Sequence, residues 1–239
     1  MISIKNLTIF IEDKKILDNI NLEINKGETF VILGESGAGK SVLLKTIVGL
    51  IKPTEGEIFI RQENLGQMNK NKLLELREKT GMVFQAAALF DSMTVCQNVG
   101  FFLFEHTNLS DEEIRERVKK SLHAVGLENI LDEMPEHLSG GMKKRVGIAR
   151  ALINQPEIIF YDEPTAGLDP VTSASILELI EKIHKEYQTT DVIVTHDLEI
   201  ARKFSDRVAI IDNGKIFTIG IWQEVVKIGH PIVSQEKNK

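Results

Sequence analysis

The 239-residue chain holds one cysteine, Cys96, so no disulfide can form within it and no Cys-rich zinc site can be built. A lone cysteine reads as a small buried hydrophobe. Long apolar runs are missing too: the longest candidate, Val99-Gly-Phe-Phe-Leu-Phe104, covers six residues, against the roughly 18 that a membrane-spanning helix needs. Positive charge is not in excess. Lysine and arginine number 29 against 35 aspartate and glutamate, a formal net charge of −6, which gives no reason to expect a nucleic-acid partner. Near the N-terminus Ile2, Ile4, Leu7 and Ile9 alternate with polar residues and soon meet Glu12, Asp13, Lys14 and Lys15, a strand pattern rather than a secretory leader. There is no internal repeat and no low-complexity linker. With 42% hydrophobic and 27% charged residues, collagen-like and disordered classes drop out. The expectation is a soluble, cytoplasmic chain that folds as one large domain or a core with a subdomain.

Two alternating segments, Ile2–Ile11 and Ile16–Ile24, read as half-buried antiparallel strands. Thr29-Phe-Val-Ile-Leu33 is a continuous apolar run ending in a Gly-rich turn, the pattern of a strand buried on both faces. Apolar residues at helical spacing follow from Ser41 to Leu50. Strand, glycine loop and helix make the first half of a βαβ unit. Met82–Phe84, Ile158–Tyr161 and Val192–Thr195 are further candidates for a buried sheet. The stretch from about 86 to 138 reads as an inserted helical subdomain, in which Ser110-Asp-Glu-Glu113 is a capping box opening an amphipathic helix through Val125. Arg207–Asp212 and Lys215–Ile219 flank Asn213-Gly214, a two-residue hairpin signal. Residues 234–239 read as a frayed end.

Gly34-Glu35-Ser36-Gly37-Ala38-Gly39-Lys40-Ser41 matches G-x-x-x-x-G-K-[ST] between that strand and that helix. Glycines let the backbone curl so that successive N–H groups, on to Val42 in the helix, point at one phosphate. The helix adds its positive end. Lys40 is expected to reach the β and γ phosphates, and the Ser41 hydroxyl to ligate magnesium. A second strand, Ile158-Ile-Phe-Tyr, ends in Asp162 and Glu163, two carboxylates at the strand end where open parallel sheets bind ligands. Asp162 is expected to hold magnesium through water, and Glu163 to face the attacking water. Leu138-Ser139-Gly140-Gly141-Met142 then opens a helix carrying Lys143, Lys144, Arg145 and Arg150. Its hydroxyl and bare N–H groups offer a second anion clamp or a plain helix N-cap.

The order of phosphate loop, Gln85, Leu-Ser-Gly-Gly, Asp162-Glu163, Ala166-Gly-Leu-Asp169 and His196 is similar to the ATP-binding subunit of ABC transporters over nearly the whole chain. The resemblance implies an α/β P-loop NTPase: a mixed sheet core, an N-terminal antiparallel β part and the inserted helical subdomain, all within one ATP-binding domain spanning 1–239. It implies ATP and Mg²⁺ as cofactors, and two copies closing head to tail around two nucleotides. Ser139, Gly140 and Gly141 of one copy then meet the γ-phosphate held by Lys40 of the other. Glu163 resembles the general base, His196 the residue that contacts and positions the γ-phosphate, and Gln85 the loop glutamine that touches magnesium and water. Asp169 resembles the residue that crosses the dimer interface. The chain departs from the family at the adenine, where Ile11 stands at the position of a stacking aromatic with Phe10 beside it and facing the other way, and at Met142, which replaces the commoner Gln.

Gln85–Val95, Asn98-Val99, Phe104–Thr107 and Gly-Gly-Met-Lys-Lys-Arg145 together look like the Mla-type ATPases, which energise phospholipid transport between the membranes of Gram-negative bacteria. That resemblance implies an integral-membrane permease, an MCE lipid-binding protein, a small STAS-domain subunit and a place on the cytoplasmic face of the inner membrane. Phe101–Phe104 packs in the subdomain core or lines the groove that receives the permease. The alternative is an importer ATPase for amino acids or metal complexes. A phosphate-loop kinase or GTPase leaves Leu138–Met142 unexplained, and no Asn/Thr-Lys-x-Asp guanine-reading motif is present.

Overall fold

In the computed structural model, which describes residues 1–238, the N-terminal alternation becomes β1 (Ile2–Ile11), and Ile2, Ile4, Leu7 and Ile9 are buried as a period of two requires. The chain turns through Glu12 and Asp13 into β2 (Lys14–Ile24). Both turn residues have positive φ, 47° and 61°, the geometry that suits a two-residue hairpin. No Asn-Gly or Asp-Gly announces this turn, and β2 begins two residues before the expected Ile16. β3 (Thr29–Leu33) is buried along its whole length. It leads into α1 (Lys40–Ile47), which stops short of the expected Leu50. The reason is Gly49, at φ 74°, with the Leu50 N–H donating back to the Lys45 carbonyl at 2.8 Å, a left-handed glycine closing the helix. β4 (Glu55–Ile60) and β5 (Glu63–Asn64), neither expected, complete an antiparallel sheet in the order β2-β1-β4-β5. α2 (Lys70–Glu78) follows.

The chain divides into two compact units, one of Met1–Arg77 with Thr190–Lys239 and the other of Glu78–Thr189. The second unit begins with β6 (Thr80–Val83), in place of the expected Met82–Phe84. The expected helical stretch contributes α3 (Val95–His106) and α4 (Asp111–Ala124). α4 has the foreseen capping box, in which the Ser110 hydroxyl accepts from the Glu113 N–H and the Glu113 carboxylate accepts from the Ser110 N–H. α3 has its own, Thr94 with Gln97. α5 (Gly140–Leu152), β7 (Ile158–Asp162) and α6 (Pro170–Tyr187) complete the unit. Val95, Val99 and Leu103 of α3 and Ile114, Val118 and Leu122 of α4 are all buried, each contributing about 1.5–3 kcal/mol by leaving water. The Phe101–Phe104 run divides: Leu103 is core, whereas Phe104 is 38% exposed and lines an open cavity with Phe101, Met93 and Glu105. Cys96 is 3% exposed, a small hydrophobe as expected.

The chain returns to the first unit as β8 (Thr190–Thr195), α7 (Leu198–Phe204), β9 (Arg207–Asp212), β10 (Lys215–Gly220) and α8 (Trp222–Ile228). β3 lies between β8 and β9, parallel to both, and β10 pairs antiparallel with β9, so this sheet is mixed. Asn213 and Gly214 turn the last hairpin at φ 46° and 74°, as their identity foretold. Residues Pro231–Asn238 form a 3₁₀ helix where fraying was expected, and Lys239 lies outside the described residues. Among the described residues no helix is long and apolar enough to cross a membrane.

Candidate functional site

In the first unit, Leu33 of β3 pairs with Thr195 of the parallel β8, so the loops beyond these residues leave the sheet at the same end. The Gly34 N–H donates to the Thr195 carbonyl at 3.2 Å, which seats the glycine loop beside the exposed His196. Gly34 has no room for a side chain: a Cβ there would lie 2.6 Å from the Ile211 carbonyl oxygen. Gly37 and Gly39 take φ values of 83° and 101°, a region closed to most side chains. Between them the loop curls back, with the Ala38 N–H on the Glu35 carbonyl at 3.2 Å. Lys40, 6% exposed, folds over this loop and donates to the carbonyls of Gly34 and Glu35, both at 2.9 Å. Glycine is also the N-cap of α1 and carries no side chain that could accept from the first-turn amides of Lys40, Ser41 and Val42. A helix start built this way is an oxyanion seat, and Glu35, Ser36 and Gly37 lie exposed around it.

In the second unit, Val83 of β6 pairs with Tyr161 of the parallel β7, which places Gln85 and Glu163, each two residues past that pair, just beyond neighbouring strand ends. Gln85 is exposed; Asp162 and Glu163 are 5% and 8% exposed. Glu163 has φ 45°, a strained conformation of the kind found at functional sites. Ser139 is the N-cap of α5, its hydroxyl accepting from the Met142 N–H at 3.3 Å, and both Ser139 and Gly140 face solvent. The two glycines have different reasons to be glycine. A Cβ on Gly140 would meet only Leu168 at 3.5 Å, whereas one on Gly141 would lie 2.8 Å from Thr172 Cγ2. Gly141 is thus required by packing on α6, a role its sequence reading did not include. Asp169 caps α6: its carboxylate accepts from the Val171 and Thr172 amides at 3.0 Å and from the Thr172 hydroxyl at 2.5 Å. These bonds, the Thr172 hydroxyl foremost, hold its carboxyl below the usual range.

Three of the four basic residues of α5 carry an unforeseen structural role. Lys144, Arg145 and Arg150 bind backbone carbonyl oxygens of the unit. Lys144, 5% exposed, donates to the Gln85 carbonyl at 2.5 Å and the Glu163 carbonyl at 3.2 Å. Burial pushes its ammonium below the ordinary lysine range, with the Glu163 and Asp162 carboxylates pulling the other way. Arg150 donates to the Ala87 and Ala88 carbonyls at 2.6 and 2.7 Å, and Arg145 to the Val125 carbonyl and the Ser175 hydroxyl. The fully buried Asn98 holds the next turn, donating to the carbonyls of Phe90, Met93 and Thr94 and accepting from the Phe90 N–H. Only the density of Lys and Arg after Leu-Ser-Gly-Gly signalled this in the sequence.

Among the described residues no three His, Cys, Asp or Glu side chains gather into a metal cage. The oxygens expected to meet magnesium, from Ser41, Gln85 and Asp162, are hard donors of the type that ion takes, and it fills its other positions with water and phosphate. Ile11, expected at the adenine, is 42% exposed, and Phe10 is exposed to the same degree, with the Lys15 ammonium 5.6 Å from its ring centre.

The profile of the ABC transporter family matches residues 17–166. The methionine import ATP-binding protein MetN of Carboxydothermus hydrogenoformans is 44% identical over 242 residues, covering 100% of this chain and 72% of that protein. The intermembrane phospholipid transport system ATP-binding protein MlaF of Haemophilus influenzae is 38% identical over 227 residues, covering 95% of this chain and 86% of that protein. Among solved structures, the ATP-binding cassette MJ0796, in a dimeric post-hydrolysis state bound to ADP and Pi, superposes with a TM-score of 0.83. It is 37% identical and covers 92% of this chain and 98% of that one.

Proposed function

The chain belongs to the ABC transporter family, an ATP-hydrolysing subunit with the α/β P-loop fold, and from that premise we propose which residues carry the reaction and what the transporter moves. Lys40 and the amides of residues 34–42 bind the nucleotide phosphates. Glu163 takes the proton of the attacking water as its oxygen bonds to the γ-phosphorus and the bridging bond to ADP breaks. His196 and Gln85 position the γ-phosphate and the water. Ser41, Gln85 and Asp162 hold Mg²⁺, which when bound neutralises charge building on the phosphate oxygens. We take residues 1–239 as one ATP-binding domain with a helical subdomain over about 86–138. The observation that carries this reading is Lys40, folded over the Gly34 and Glu35 carbonyls at the glycine-capped start of α1. Steady-state phosphate release tests it. Glu163→Gln should bind ATP normally and lose roughly 10²–10⁴-fold in turnover; near-wild-type release would sink the assignment. Lys40→Ala should instead weaken nucleotide binding, since it removes the charge facing the phosphates.

The working assembly is two copies, head to tail, joined to an integral-membrane permease on the cytoplasmic face of the inner membrane. Exposed Ser139 and Gly140 at the start of α5 support it, as does the dimeric state of the structural neighbour. Asp169 then reaches the interface while capping α6.

For the cargo, the lead reading is phospholipid, with an MCE protein and a STAS-domain subunit as further partners. It is supported by the runs Gln85–Val95, Phe104–Thr107 and Met142–Arg145 and by MlaF among the relatives. Amino-acid import is the second reading, favoured by the higher identity to MetN. Affinity purification from detergent-solubilised membranes separates them. A multi-span permease with an MCE protein, together with detergent sensitivity on gene loss, supports lipid; an amino-acid permease with a soluble binding protein and an intact envelope supports import.

A further inference from the structure

Lysine is costly to bury unless its ammonium is satisfied, and Lys144 is satisfied by backbone carbonyls. One belongs to Gln85, just beyond β6, and the other to Glu163, just beyond β7. The Glu163 carbonyl accepts a second bond, from the Ala166 N–H at 3.1 Å. Two donors on one carbonyl fix the peptide plane after Glu163, at a residue whose φ of 45° is disfavoured for any side chain larger than glycine. A strained conformation persists only where its surroundings over-determine it. Lys144 also sits on the same helix that Ser139 caps, about a turn and a half along it.

We propose that Lys144 is a positioning residue for hydrolysis: by donating to the Gln85 and Glu163 carbonyls together, it holds the Glu163 backbone in the conformation that aims the carboxylate, and ties that backbone to the Gln85 loop and to the Ser139 helix. The proposal rests on the reading of Glu163 as general base. Arg150 supplies the contrast, since it grips the same loop through Ala87 and Ala88, with no bond to Glu163.

The test uses the full chain, with kcat, KM, equilibrium ATP affinity and thermal midpoint measured for Lys144→Met, Lys144→Gln and Arg150→Met, and again with each in a Glu163→Gln background under single-turnover conditions. Lys144→Met keeps the apolar arm up to the place of Cε and removes the ammonium; Lys144→Gln keeps donors on an arm one atom shorter than that of lysine. Misplacing a reacting group by about 1 Å costs about 10²-fold, so kcat of Lys144→Met should fall by about that factor with ATP affinity nearly unchanged. Lys144→Gln should fall less. In the Glu163→Gln background Lys144→Met should cost nothing further, because the group it positions is gone, whereas Arg150→Met should cost the same in both backgrounds. A wild-type kcat in Lys144→Met, or a loss that persists undiminished with Glu163→Gln, overturns the proposal. Lys144→Gln carries the same two outcomes if Lys144→Met does not fold. Glu163→Gln turning over near the wild-type rate removes the base assignment and this proposal with it. A dead Glu163→Gln beside a fully active Lys144→Met removes the proposal alone.

Discussion

Thr172 Cγ2 stands where a Cβ on Gly141 would come within 2.8 Å of it, and Thr172 cannot swing aside cheaply because its hydroxyl donates to the Asp169 carboxylate at 2.5 Å. The glycine of α5, the threonine of α6 and the aspartate that caps α6 therefore form one packed unit. Gly141→Ala gains about 1 kcal/mol of helix propensity but incurs about 1–3 kcal/mol of overpacking, so a net loss of about 1 kcal/mol is expected in urea unfolding. Thr172→Ser removes Cγ2 and keeps the hydroxyl. It should restore the stability of Gly141→Ala, and a double variant no more stable than the single one would place the strain elsewhere. Gly140→Ala meets only ordinary contact, so it should keep the helix-propensity gain of up to about 1 kcal/mol and not destabilise.

The proposed sharing of the active site between two copies is open to a mixing experiment. One chain carries Lys40→Ala and the other Ser139→Arg, so in the mixed dimer one composite site holds both lesions and the other holds neither. The mixed dimer should show about half the ATPase activity of wild type, and an equimolar random mixture, in which half of the dimers are mixed, about a quarter, from two pure mutants that are each inactive. Activity in pure Ser139→Arg, independent of pairing, would show that each chain works with its own pocket alone.

Base selectivity should be weak. If Ile11 takes the place of the stacking aromatic, apolar contact distinguishes adenine from guanine poorly, and GTP should bind within about tenfold of ATP, or about 1.4 kcal/mol. Competition titration checks this. A preference beyond a hundredfold would point to another residue reading the base.

The Asp169 cap should make a pH-dependent contribution to stability. Its carboxyl is held below the usual range by the Thr172 hydroxyl and by the Thr172 and Val171 amides, so the contribution is present above the ordinary carboxylate range and lost as pH falls through the depressed value. Urea midpoints should show wild type more stable than Asp169→Ala at neutral pH, with the gap closing in acid. A gap that persists after the carboxylate is protonated would show that capping by its charge is not the source.

The sequence alone determined the features that reside in a few consecutive residues. The glycine loop, the Ser110 capping box and the Asn213-Gly214 turn are local conformational problems, solved by residue types within one turn of one another, and the structure places each where the spacing puts it. Buried β3 was legible for the same reason, as five consecutive residues with no polar face. What only tertiary structure decided depends on partners far along the chain. β4 and β5 exist because β1 offers an edge to pair with, and the hairpin at Glu12-Asp13 follows from the pairing of β1 with β2 rather than from an Asn-Gly or Asp-Gly signal. Gly141 is glycine because α6 crosses it. Lys144 and Arg150 stood in the sequence only as cations on a helix, yet the carbonyls they bind at Gln85, Ala87 and Ala88 lie 59 to 63 residues away and that of Glu163 lies 19 away, and only the packing of α5 against β6 and its loop turns those cations inward. A charge can be read from a sequence, but the low-dielectric interior that makes it a clamp is made by the fold.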